Sequence, residues 1–75
     1  MALSILIKKI RQKSFMTQEE FASELGVAFS TVNRWENGKT IPNMTAMKQL
    51  KFFCEKNNIP FDEVEQAWLD GADAE

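Results

Sequence analysis

Ala22 and Gly26 stand four residues apart in a stretch that leaves the chain few ways to fold. The stretch opens with Thr17-Gln18-Glu19-Glu20, a capping box. The Thr17 hydroxyl can accept from the Glu20 backbone N–H, and the Glu20 side chain can reach back. A helix is therefore expected from about Gln18 to Leu25. Gly26 supplies the left-handed residue that ends a helix tightly. A second helix is expected from about Phe29 to Asn37, closed by Gly38. Its run Phe-Ser-Thr-Val-Asn-Arg-Trp is a poor intrinsic helix former, so packing through Val32 and Trp35 must hold it. Two helices that cross at a wide angle make close contact. They need a small residue midway along the first, a turn residue tolerating positive φ, and apolar anchors on both. Ala22 is the small residue and Gly26 the turn residue. Phe21, Leu25, Val27, Val32 and Trp35 are the anchors. All seven demands are met.

The rest of the chain also reads as helix. Gly26, Gly38, Pro42, Pro60 and Gly71 mark breaks, and helical periodicity fills the gaps. A first helix is expected from Ala2 to Lys13, with Leu3, Leu6, Ile7 and Ile10 on one face. Lys8, Lys9 and Lys13 read as a solvated face. A fourth helix follows Pro42 and the capping residue Asn43 and runs to about Lys56, with Met47, Leu50 and Cys54 as its buried stripe. A fifth runs from about Phe61 to Leu69, with Phe61, Val64, Ala67 and Trp68 apolar. No stretch alternates with period two over a useful length. The expected fold is all-α, a compact five-helix bundle. Residues 1–70 form one domain, and 71–75 form an acidic tail.

Composition narrows the function. The net charge of −2 argues against DNA at first sight. Residues 1–56, however, carry nine Lys and Arg against five Asp and Glu, a net +4, while residues 57–75 carry six acids and no base. A basic body is compatible with a phosphate-binding face, and equally with a mixed solvated surface. There is no His, and Cys54 is the only cysteine. A metal site or general-base chemistry has few candidates, and no catalytic constellation can be drawn. Neither an enzyme nor a cofactor is expected. Cys54 reads as a small buried hydrophobe. The apolar start lacks a basic stretch and a cleavage site, so no signal peptide is expected. No apolar run approaches the roughly 20 residues of a membrane span. A reducing cytoplasm is the simplest compartment.

The stretch from Thr17 to Lys39, with Ile41-Pro42 after it, resembles the phage-repressor (Cro/cI, XRE) family of helix-turn-helix domains. The similarity covers roughly Ile5 to Ile59. It implies a five-helix fold, binding to double-stranded DNA, and a dimer that regulates transcription, often as a repressor. Gln18 matches a residue that hydrogen-bonds a backbone phosphate. Phe29, Ser30, Asn33 and Arg34 match the face of the recognition helix that meets base edges. Thr31 lies beside them, within reach of phosphate or sugar. Asn37, Lys39 and Thr40 match a loop that grips the backbone. Arg11 and Glu36 match a structural ion pair.

Side-chain chemistry agrees with these roles. With Val32 and Trp35 facing inward, Phe29, Ser30, Asn33 and Arg34 face out. Arg pairs bidentately with guanine and Asn with adenine. Phe29 has two readings: against a thymine methyl, or folded back over the turn onto Val27. Two positions depart from the family pattern. Ala28 stands where Ser or Thr often caps the third helix, and Phe29 replaces a residue that is frequently polar.

Phe52 and Phe53 are adjacent, so they point about 100° apart on a helix. Together with Phe61 and Trp68 they suggest surplus apolar surface on the fourth and fifth helices. Such a patch would serve a homodimer, or simply be covered by the fifth helix. The rival functional reading is a protein-interaction or antitoxin-like adaptor module that keeps this fold and binds a protein partner there.

Overall fold

The computed structural model describes residues 2–71. Five helices follow one another: α1 Leu3–Lys13, α2 Gln18–Leu25, α3 Phe29–Glu36, α4 Met44–Lys56 and α5 Asp62–Asp70. No strand occurs among the described residues. Four helix limits differ by one residue from those read in the sequence. Ala2 is an extended N-cap rather than the first residue of α1. Asn37 caps α3 instead of belonging to it. Phe61 precedes α5, which runs on to Asp70 before Gly71 closes it at φ +61°. The remainder of the expected acidic tail, residues 72–75, lies outside the described residues.

Local chemistry accounts for the helix starts. The Thr17 capping box is complete in both directions: Glu20 N–H donates to Thr17 Oγ1 at 3.1 Å, and Thr17 N–H donates to Glu20 Oε1 at 2.9 Å. Asn43 Oδ1 accepts from Ala46 N–H at 2.8 Å and starts α4. Asp62, Glu63 and Glu65 in the first turn of α5 complement its dipole. Ala28 offers α3 no side-chain cap.

The helix ends share one device. In each of α1 to α4, two successive residues after the helix donate backward, in the bond pair of a Schellman motif. The pairs are Phe15 to Gln12 and Met16 to Arg11, Gly26 to Ser23 and Val27 to Ala22, Gly38 to Trp35 and Lys39 to Arg34, and Asn58 to Glu55 and Ile59 to Cys54. The first residue of each pair has positive φ: Phe15 +57°, Gly26 +72°, Gly38 +72°, Asn58 +57°. Glycine adopts this conformation freely and asparagine tolerates it, whereas other residues lose about 1–2 kcal/mol.

The core collects the apolar face of every helix. Leu3, Leu6, Ile7 and Ile10 of α1 meet Phe21, Ala22 and Leu25 of α2, and Val32 and Trp35 of α3. α4 contributes Ala46, Met47, Leu50, Phe53 and Cys54, and α5 contributes Val64 and Ala67. Met16, Val27, Ile59, Phe61 and Trp68 close the edges. Trp68 Nε1 donates to the Pro42 carbonyl at 2.6 Å, which fastens α5 to the loop before α4. Cys54 is fully buried. Burial pushes its thiol up to about 11, against a smaller opposing pull from Lys13, so it stays neutral and apolar.

One expectation needs correcting. Phe53 does not belong to an outer apolar patch. It is only 5 % exposed and meets the Phe21 ring edge-on, with centroids 5.4 Å apart. The angle between adjacent helical residues sends its neighbour the other way, and Phe52 is 66 % exposed.

Candidate nucleic-acid interface

α2 packs against α3, and Ala22, midway along α2, is buried. Gly26 makes the turn, and a Cβ at that position would meet nothing within 4 Å. Glycine is needed there for its φ alone, not for lack of space. Val32 is fully buried and Trp35 nearly so, which sets the rotation of α3 about its axis. The opposite side of α3 then faces solvent. Phe29 is 48 % exposed, and Ser30 and Arg34 are exposed too. The Arg34 side chain makes no hydrogen bond or ion pair with another described residue. Thr31 is half-buried on the flank of α3, and Asn37, Lys39 and Thr40 are exposed in or beside the loop that follows.

Five polar side chains form a relay behind this face. Arg11 donates to Glu36 twice, from Nε at 2.7 Å and from Nη2 at 2.9 Å. Its third arm, Nη1, donates to the Met16 carbonyl at 2.9 Å. Gln18 Nε2 donates to Glu36 Oε1 at 2.9 Å. Asn33 Nδ2 donates to Gln18 Oε1 at 3.1 Å, and Asn37 Nδ2 donates to Asn33 Oδ1 at 3.1 Å. The Glu36 side chain is only 3 % exposed. A buried carboxylate is costly unless several donors meet it, and here three do. In turn, Glu36 keeps the Arg11 guanidinium protonated even more firmly than usual, through the paired hydrogen bonds first and, against the opposing pull of burial, through its charge.

The relay sorts the residues singled out in the sequence. It brings together Arg11, Gln18, Asn33, Glu36 and Asn37. It leaves Phe29, Ser30, Thr31, Arg34, Lys39 and Thr40 outside. Sequence reasoning missed that Gln18 and Asn33 bond to each other. The pair is 15 residues apart in sequence, and no local spacing signals it. Each amide NH2 in the relay has a second hydrogen beyond the one it uses, so Gln18, Asn33 and Asn37 each keep a donor for a ligand. A groove of about 700 Å³ lies beside α3, bounded by Gly26, Thr31, Thr40, Asn43 and Thr45. No cluster of three potential metal ligands exists among the described residues.

A small buried residue midway along the first helix, a left-handed glycine between two helices, and an outward polar face on the second helix define a helix-turn-helix domain. Residues 7–50, more than half of the chain, match the family model described as Helix-turn-helix, and the chain belongs to that XRE-type family of DNA-binding domains. It is 38% identical over 48 residues to the HTH-type transcriptional activator BcrR of Enterococcus faecalis, covering 63% of this chain and 24% of the relative. It is 38% identical over 56 residues to the type II methyltransferase M1.ScrFI of Lactococcus lactis subsp. cremoris, covering 71% of this chain and 14% of the relative. It is 34% identical over 64 residues to the type II methyltransferase M.SsoII of Shigella sonnei, covering 81% of this chain and 17% of the relative. The chain thus spans a quarter or less of the length of each of these relatives. No solved structure matches significantly. Among the described residues, no helix is long and apolar enough to cross a membrane.

Proposed function

We propose that this chain binds duplex DNA sequence-specifically and regulates transcription, with α3 lying in the major groove and α2 straddling the backbone. The observation that carries the reading is the face of α3: Phe29, Ser30 and Arg34 are exposed, and the Arg34 side chain has no partner among the described residues. An arginine held out on a short helix suits the O6 and N7 of guanine, and Phe29 suits a thymine methyl. Asn33 reads bases with its second amide hydrogen. Gln18, Thr31, Asn37, Lys39 and Thr40 hold the phosphate backbone. The two methyltransferases share only this part of their length with the chain, so their likeness is assigned to DNA binding and not to methyl transfer. The proposed compartment is the cytoplasm.

The chain is further proposed to act as a homodimer through α4 and α5. Phe52 stands out from α4, and Met44 and Leu69 are exposed beside a small groove that Phe61, Trp68, Lys48 and Lys51 help to line. Phe61 and Trp68 are half-buried and cover the core as well as lining this surface. A symmetric dimer would read half-sites about 34 Å apart. The same surface would serve a protein partner if the chain were an adaptor.

The test is selection of bound duplexes from a random pool, followed by sequencing. The expected result is one enriched motif with twofold symmetry and half-sites one helical turn apart. No enrichment, together with no shift of any duplex at low salt, would overturn the reading.

A further inference from the structure

Phe15 stands out among the helix ends. The same left-handed position after α2, α3 and α4 holds Gly26, Gly38 and Asn58. After α1 it holds a phenylalanine at φ +57°, a conformation such residues disfavour. Its ring is 94 % exposed, so it does not serve the core. The choice of residue is thus unfavourable twice over, in the backbone and in hydration. Nothing inside the described fold gains from it.

The turn that carries Phe15 is held from several sides. Phe15 N–H donates to the Gln12 carbonyl at 3.0 Å and Met16 N–H to the Arg11 carbonyl at 3.3 Å. Ser14 Oγ donates to the Ile10 carbonyl at 3.1 Å. The Arg11 guanidinium grips the Met16 carbonyl, and Met16 packs on the core. Through Arg11, the turn joins the relay that sets Gln18 against Asn33. The ring is therefore borne on a fixed support three residues before Gln18, with Lys13 on its other side.

We infer that Phe15 packs its ring on a deoxyribose of the DNA strand whose phosphate Gln18 holds. This rests on the DNA-binding reading above. A nonpolar ring at the border of a phosphate contact meets the C–H faces of the sugar between two phosphates. Base edges are left to α3. The contact carries no sequence information; it adds affinity on every duplex and fixes register.

The test pairs stability with affinity in the full chain, using Phe15→Gly and Phe15→Asn, both suited to positive φ. Each variant is expected to raise the thermal midpoint by about 4–8 °C and to weaken binding to all duplexes by about fivefold to tenfold. The salt dependence of binding keeps its slope, because no charge is lost. Phe15→Tyr, which retains the ring, keeps its affinity within about twofold. Phe15→Gly bound as tightly as the parent would overturn the inference and would point to a protein partner for the ring. A parent chain that shifts no duplex at low salt would overturn the DNA-binding reading itself, and this inference with it.

Discussion

Asn33 Nδ2 donates to Gln18 Oε1 at 3.1 Å, joining the outer face of α3 to the first residue of α2. Gln18 also donates to Glu36, so a displacement at Asn33 is felt at the carboxylate that Arg11 clamps. The two helices are thus joined by their packing and by this amide pair.

This pairing makes the effects of Gln18 and Asn33 on DNA non-additive. Gln18→Ala and Asn33→Ala are each expected to weaken duplex binding, and the double variant to be little weaker than either single one. A coupling of about 0.5–3 kcal/mol is expected. A double-mutant cycle on dissociation constants measures it, and a purely additive result would separate the two side chains.

Arg34 and Lys39 are expected to fail differently. Arg34→Ala should relax base preference at one or two positions, at about 1–3 kcal/mol against the wrong base. Lys39→Ala should weaken all sequences alike and reduce the salt slope by about one. Titrations of a matched and a mismatched duplex at several salt concentrations separate the two. Equal behaviour of both variants would refute the division of labour between base and backbone contacts.

Glu36→Ala leaves the Arg11 guanidinium without its carboxylate and Gln18 without its acceptor. Breaking such a buried pair costs about 3–5 kcal/mol, a large share of what a domain of this size has. Thermal or urea unfolding should show a domain close to unfolding at room temperature. Replacing both partners, Arg11→Met with Glu36→Leu, should recover much of the loss while leaving DNA binding impaired, since Gln18 stays unanchored.

Ala28→Ser adds the side-chain cap that α3 lacks. It is expected to raise unfolding free energy by about 1 kcal/mol. Ala28 has the extended backbone an N-cap needs, with φ −73° and ψ 151°, so no rearrangement is required. An unchanged denaturation midpoint would mean that the end of α3 is already satisfied by solvent.

The sequence by itself determined the helices, their inward faces and the crossing of α2 and α3. Those signals are local: a capping box four residues long, glycines at three of the helix ends, and apolar residues at helical spacing. They act through backbone bonds and side-chain direction within a turn or two of chain. Only the tertiary structure decided which of Phe52 and Phe53 turns inward, because the choice depends on the Phe21 ring, more than thirty residues away in sequence. The same holds for the bond from Gln18 to Asn33, which spans 15 residues, whereas the pair of Arg11 with Glu36, 25 residues apart, was implied by the family resemblance alone. The left-handed turn at Phe15 was equally hidden. With no glycine to announce it, the chain takes that conformation because Met16 must enter the core and its carbonyl must reach Arg11.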